Sequence, residues 1–502
     1  MVGSALALGL TVLTLAAFAG VGVWRTRGRD TSADDFLTAR NSVGGRGLTA
    51  TLVASVMGVW ILFSAPEAGA GFGIAAAVGY GIGEAVPMLA YTRVGPRVRK
   101  LLPEGHSLTE YAHVRYGTAF YGFVVLVSAL YMFIFVAAEL TGIASALSLV
   151  AGVPQWQTAL LVGGFVLLYT SYGGLRATIV TDTLQAVLVA PLLALVVGGL
   201  VVALGGPGAV YADVAASNPA LVDPTNAAGL RFGLALSFAI FGAEMVNQTW
   251  WQRIYAGRDD DTVASSFRKA TVLNGSIVAL ATLLGVVAVG HAGGALESPS
   301  IAFFVLVQSV FGEGVLLGVV LLALLLVVSS VDSLFSALAS LVTADLPRLL
   351  ADPADRRLRL GARLLTGTVA VAAIYVSVRA QSVLALFFFA DLLGAAVAVP
   401  LVAGLYSRQL TGRGALVSSL LGLAVGVAYF PDFRGVWTAT PLVGDLLPAA
   451  DPLYLSAFGG AAAASTVGTL VAVRLSSSTF DFDRLSDAGT TAMADGGSER
   501  GD

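Results

Sequence analysis

Phe241-Gly242-Ala243-Glu244-Met245-Val246-Asn247-Gln248 and Ser64-Ala65-Pro66-Glu67-Ala68-Gly69-Ala70-Gly71 each interrupt a long apolar run with small residues and one glutamate. A carboxylate at the centre of a bilayer costs about 2.5–3.5 kcal/mol even on lenient insertion scales, so it marks a functional position by default. Glycine and proline loosen the surrounding helix and free backbone carbonyls, and irregular backbone survives at that depth only beside a cavity or inside protein. Two such breaks, one in each half of a chain, point to a transporter binding site.

The composition agrees. Of 502 residues, 57% are hydrophobic and only 12% charged, against about 25% charged in soluble domains. The absence of cysteine excludes disulfides, thiol catalysis and cysteine metal sites. The net charge of −3 points to no class of partner, and nothing suggests nucleic acid. At about 20 apolar residues per crossing, thirteen spans are expected, near 4–24, 48–74, 76–96, 118–151, 156–173, 179–205, 230–255, 268–291, 314–344, 361–379, 383–406, 413–430 and 453–473. A stretch near 299–311 is too short to cross and should lie as a helix on one face. With the N-terminus outside, all but Arg231, Arg379 and Arg434 of the 28 basic residues fall on the cytoplasmic side, as the positive-inside rule requires. The first span has no basic leader and is followed by Arg25, Arg27 and Arg29, which reads as a retained anchor.

Spans two to six and seven to eleven each make five crossings, and each block opens with a broken, glutamate-bearing span. Five is odd, so the second block enters from the opposite face, the geometry of an inverted repeat. The expected fold is an all-α polytopic membrane protein with a five-plus-five inverted-repeat (LeuT-type) core. Its parts are an N-terminal helix and cytoplasmic loop (1–46), the first repeat (47–205), an extracellular loop (206–229), the second repeat (230–407), two further helices (408–474) and a polar, acidic tail (475–502) expected to be disordered.

Several residues are candidates for chemistry. Asp182 follows the Gly173-Gly174 pair in the first turn of the sixth span, where it is either a helix cap or a carboxylate near an inner ion route. Val328-Ser329-Ser330-Val331-Asp332-Ser333 lies near the centre of the ninth span. A small hard cation wants several oxygens at short range. The Ser329 and Ser330 hydroxyls either back-bond to a carbonyl one turn earlier or bridge helices, or else present three such oxygens with the carbonyl of Leu326 one turn back, carbonyls freed around Ala54 and Met57 being expected to complete the shell.

The stretch Tyr169–Gln185, the serine–aspartate stretch at 329–333, Trp250-Trp251-Gln252-Arg253 after the second break and Ala54–Pro66 in the first broken span resemble the solute:sodium symporter family, in the right order and spans. The resemblance covers essentially the whole chain up to the tail. It implies the five-plus-five core with one extra N-terminal and two extra C-terminal helices. It also implies sodium held by the carbonyls of Ala54, Met57 and Leu326 and the hydroxyls of Ser329 and Ser330, with Asp182 close by. Proline transporters of the family have an aspartate where this chain has Val56, which argues against proline as the solute.

Glu67, Glu84, Glu139, Asp182, Glu244, Asp332 and Asp391 lie in spans that hold no lysine or arginine of comparable depth. Such acids are protonated, neutralised by sodium, or reserved for a cation, so a solute with an amine or amide is favoured, amino acids ahead of urea-like amides, polyamines and organic acids. Glu67 and Glu244, with Asn247 and Gln248, are expected to contact it, and Glu139 is a further candidate. Trp60 and Trp250 either wall the cavity or simply pack. His106, His113 and His291 are too scattered for a metal cluster, and no enzyme signature is present. The sequence therefore reads as a sodium-coupled symporter in the plasma membrane, importing a small polar organic solute by alternating access. A proton-coupled carrier of the same fold, or a membrane sensor with a transporter-like core, are the alternatives.

Overall fold

The computed structural model describes residues 2–26, 38–349, 367–380, 382–440, 447–450 and 453–487. Arg27, Arg29 and the tail beyond Asp487 lie outside them, as do the side chains of residues 169–177 in the glycine-pair motif.

The chain is helical. In order it forms α1 (Ser4–Thr26), α2 (Gly45–Val56), a 3₁₀ turn (Val59–Leu62), α3 (Ser64–Leu101), α4 (Leu108–Tyr116), α5 (Thr118–Ala151) and α6 (Gln155–Ala203). There follow α7 (Pro207–Ser217), α8 (Ala227–Met245), α9 (Gln248–Ala256), α10 (Asp260–Ala292), α11 (Ala302–Val310) and α12 (Glu313–Leu349). A short helix, α13 (Gly367–Ser377), precedes α14 (Val383–Ala403), α15 (Gly412–Tyr429), α16 (Pro431–Thr438) and α17 (Leu453–Leu475).

Among the described residues ten helices are long and apolar enough to cross a membrane, against thirteen expected spans. The gap comes from one kinked helix that carries two expected spans, and from two expected spans that run into positions outside those described. The second and third spans share α3, whose backbone leaves the helical conformation at Gly73 (φ +73°, ψ −160°), so that two helices meet there at a kink, close to the expected boundary between them. Within α6 only Thr178–Ala203 qualifies by length, while Gln155–Leu168 is shorter. The tenth expected span is represented by Gly367–Ser377 alone. The fifth and sixth spans cannot form one straight rod, which at 49 residues would extend about 74 Å, since the two ends of the stretch lie near each other. The Leu149 carbonyl just before the run accepts from Gln308, while Gly199 near its end lies against Phe311 only three residues further on.

Lipid offers no hydrophobic drive for helix association, so small residues that let backbones touch become the means of packing. A Cβ on Gly69 would stand 1.8 Å from the Thr282 carbonyl oxygen, and one on Gly285 would stand 1.7 Å from that of Pro66. The α3–α10 crossing therefore has no room for a side chain. Gly79 meets Gly233 of α8 in the same way. The segment before α2 and the end of α9 are tied together, where Val43 N donates to Ala256 O (2.9 Å) and Arg258 N to Val43 O (2.9 Å).

The stretch near 299–311 is α11 with a short 3₁₀ lead, and it buries Phe303 and Phe304, the latter ring 4.7 Å from that of Phe63. The tail needs correction. Its first part, up to Asp487, docks on the helix connections: Phe480 N donates to Arg408 O (2.7 Å), the Phe480 ring lies 4.4 Å from the Arg115 guanidinium, and the Phe482 ring 5.3 Å from that of Arg97. Leu485 is fully buried. Aromatic residues in a polar sequence, beside loop arginines, supply the anchor.

Candidate functional site

The first break falls earlier than the proline and glycines suggested. Helix α2 stops at Val56; Met57 (ψ 80°) and Gly58 (ψ 176°) are non-helical, and the chain passes through the 3₁₀ turn into α3. Pro66 sits in the first turn of α3, where a missing N–H costs nothing. The unwinding frees particular groups. Gly58 N turns to Val56 O (2.9 Å), which leaves the Ala54 carbonyl without its helical donor. Val59 N is captured by Glu139 Oε2 (2.8 Å), which leaves the Ser55 carbonyl likewise. Glu139 is thus the acid that holds the break, and Gly58 makes room for it, since a Cβ there would overlap Glu139 Oε1.

The second break is at Val246–Asn247, as expected. Asn247 caps α9 by accepting from Thr249 N (3.0 Å), and the freed carbonyls of Glu244 and Val246 accept from Tyr91 Oη (2.9 Å) and Ser128 Oγ (2.9 Å).

Behind the first break a buried nest forms around Asp182. Its Oδ2 accepts from Thr51 Oγ1 (2.5 Å), Ser55 Oγ (3.1 Å) and Arg253 Nη2 (3.1 Å), and its Oδ1 from Ser329 Oγ (2.7 Å). The same Arg253 nitrogen donates to Ser333 Oγ at 2.8 Å. Arg253 is fully buried, so the spans do hold one deep cation, and the expectation that none exists at comparable depth is corrected. Its place after a tryptophan pair in an amphipathic half-helix looked like a membrane edge.

Next to this nest, Ala54, Met57, Leu326 and Ser329 line one cavity of about 440 Å³ together with Gln185. Gln185 is buried and neither atom of its amide has a partner. It lies three residues after Asp182 on the same helix, the i,i+3 spacing that places both on one face. Ser330 turns the other way, donating to Glu139 Oε2 (2.9 Å) and Leu326 O (3.1 Å).

A second, central cavity of about 40 Å³ opens between the breaks. Trp60, Glu244 and Asn247 line it, with Glu84, Asp391, Tyr80, Tyr131 and Trp250 among the other walls. Glu244 accepts from Tyr131 Oη (3.0 Å), Asn247 Nδ2 (3.3 Å) and Trp250 Nε1. Three expected contacts lie elsewhere. Glu67 is in the first turn of α3 and accepts from Ser382 Oγ (3.2 Å). Gln248 serves the start of α4, accepting from Leu108 N (2.8 Å) and donating to His106 O (3.3 Å). Glu139 belongs to the first break. Glu84 and Asp391 were visible as buried acids, but only the fold puts them in one cavity with Glu244.

A family model, "Sodium:solute symporter family", matches residues 36–422. The chain belongs to this family. Among its relatives, the spermidine transporter DUR31 of Candida albicans is 26% identical over 414 residues, covering 80% of this chain and 77% of that one. The urea-proton symporter DUR3 of Oryza sativa subsp. japonica is 24% identical over 479 residues, 85% of this chain and 65% of its own. A solved Na⁺-coupled sialic acid symporter in a substrate-bound outward-open state superposes with a TM-score of 0.75 at 16% identity, covering 94% of this chain and 98% of that one. This member of the sodium:solute symporter family is therefore a multi-pass secondary active transporter with a LeuT-type core, and not an enzyme.

Proposed function

We propose that the chain couples inward sodium movement to uptake of a small polar organic solute across the cytoplasmic membrane, with its N-terminus outside. The observation that supports this reading is that Ala54 and Met57, beside the unwound stretch, line one cavity with Leu326, Ser329 and the unpartnered Gln185 amide. A monovalent cation needs such neutral oxygens close to, but not wholly paid out to, a carboxylate. Asp182 stands behind Ser329 and is already half neutralised by Arg253. Sodium bound there bridges the first broken span to α12 and stabilises the form open to the outside. The solute then binds in the central cavity beside Glu244, Asn247 and Trp60, and the two repeats rock to release both inward. Coupling is mutual: whatever sodium adds to solute affinity, the solute adds to sodium affinity. The relatives named for spermidine and urea support a solute with an amine or amide group.

The test needs no solute. Purified chain is titrated with radioactive sodium, and Ser329→Ala is expected to weaken binding about ten- to a hundredfold, the worth of one good ligand oxygen. A wild-type protein that binds no sodium would sink the reading. A proton-coupled carrier is the second reading, favoured by the proton named for the rice relative and by the unpartnered Oε1 of buried Glu139. Replacing sodium by choline at fixed pH separates them, since proton-driven uptake is unaffected by the exchange.

A further inference from the structure

The central cavity holds more carboxyl groups than its own donors can satisfy. Glu84 on α3 and Asp391 on α14 face it, 5% and 6% exposed. Neither has a hydrogen-bond partner among the described residues. Glu244, by contrast, already accepts from three neutral donors. The three carboxyls are electrostatic neighbours of one another. No lysine or arginine lines the cavity; Arg253, outside it, directs its Nη2 to Asp182, Ser55 and Ser333.

A buried carboxylate without donor or counter-charge is among the most unfavourable arrangements in a protein. Two open ones in one small space therefore describe what is missing: two positive charges, each able to donate hydrogen bonds. The walls fit the rest of such a molecule. Trp60 stacks on Tyr80 (ring centroids 5.7 Å) and meets Phe387 edge-on (6.0 Å), and Phe387 in turn meets Phe135 (4.7 Å). Aromatic faces attract ammonium groups and cover methylene spacers. A neutral amide leaves both charges uncompensated, and a zwitterion brings a carboxylate toward three others.

We propose that the transported solute is an organic cation with two or more ammonium groups joined by an alkyl spacer, with Glu84 and Asp391 each receiving one of them. This rests on the central cavity being the solute site, and it selects the amine over the amide among solutes compatible with that reading. A space of about 40 Å³ is too small for such a molecule, so the structure is closed around the site, and the Trp60–Phe387–Phe135 contact has to part for entry.

The experiment is thermal stabilisation of the purified full chain by 1,4-diaminobutane, 1-aminobutane, urea and proline, in sodium and in choline, for wild type, Glu84→Gln, Asp391→Asn and the double variant. The diamine is expected to stabilise the wild type in sodium at concentrations about tenfold or more below those of the monoamine, and each single variant to weaken it about ten- to a hundredfold. The double variant should lose the diamine effect while keeping the shift that sodium alone produces, which shows that it is folded. If sodium shifts the wild type but urea or proline outcompetes the diamine, the dication proposal fails and the transporter reading stands. If the double variant binds the diamine unchanged, the two acids serve another purpose, such as carrying protons, and the proposal fails. If neither sodium nor any solute shifts the wild type, the transporter reading falls with it.

Discussion

Replacing Arg253 by alanine is the sharpest single perturbation of the buried cluster around Asp182. Its Nη2 makes three buried contacts, to Ser55 Oγ at 2.9 Å, Ser333 Oγ at 2.8 Å and Asp182 Oδ2 at 3.1 Å. Removing one partner of a buried ion pair costs about 3–5 kcal/mol, because the remaining charge is left uncompensated. Here Asp182 keeps the hydroxyls of Thr51, Ser55 and Ser329, each worth about 1.5–3 kcal/mol to a charged acceptor. The loss should therefore sit near the lower bound, about 3 kcal/mol. Removing the charge as well, in Arg253→Ala with Asp182→Asn, should recover about half or more of it, because hydroxyls and an amide satisfy one another. Denaturant titration of the purified chain in detergent, run as a double-mutant cycle, reads the coupling directly. The reasoning is refuted if the single variant is no less stable than the double, for then Asp182 never depended on the guanidinium.

Ser329→Ala should weaken sodium binding while Ser330→Ala does so less, because Ser330 donates away from the cavity to Glu139; equal losses would mean both hydroxyls reach the ion. The two changes together should abolish sodium-stimulated uptake with membrane insertion intact, measured in proteoliposomes and by membrane extraction. Gly285→Ala should lower the yield of folded protein, given a Cβ 1.7 Å from the Pro66 carbonyl, whereas Gly164→Ala, with nothing within 4 Å, should be silent in size-exclusion chromatography. Phe480→Ala with Phe482→Ala should release the docked tail, seen as faster tryptic cleavage at exposed Arg484 with sodium binding unchanged.

Much of this arrangement was readable from residue order. The second break was legible because glutamate and asparagine in an apolar run have no other use, and Ala54, Met57, Leu326 and Ser329 do meet around one cavity. The first break was displaced because a proline is as comfortable in a helix's first turn as at a break. That error carried Glu67 with it. Gln248 misled for a related reason: a polar side chain near a break can serve a neighbouring helix end, as it does at Leu108. Glu84 and Asp391 lie 307 positions apart in the chain, so only tertiary packing brings them to the same space. Gln185 left a usable trace in its spacing from Asp182, and the docked tail left one in Phe480, Phe482 and Leu485, an apolar rhythm inside an acidic segment.

The glycine crossings between α3, α8 and α10 have a mechanical consequence. A seam made of main chain against main chain has no rotamers to reshuffle, so one helix cannot creep along another without driving carbonyl oxygens into α-carbons. These three helices must swing as a single plank. Any turning needed to expose the cavity to alternate sides is then concentrated at the unwound joints, Met57–Gly58 and Val246–Asn247, which border the two cavities.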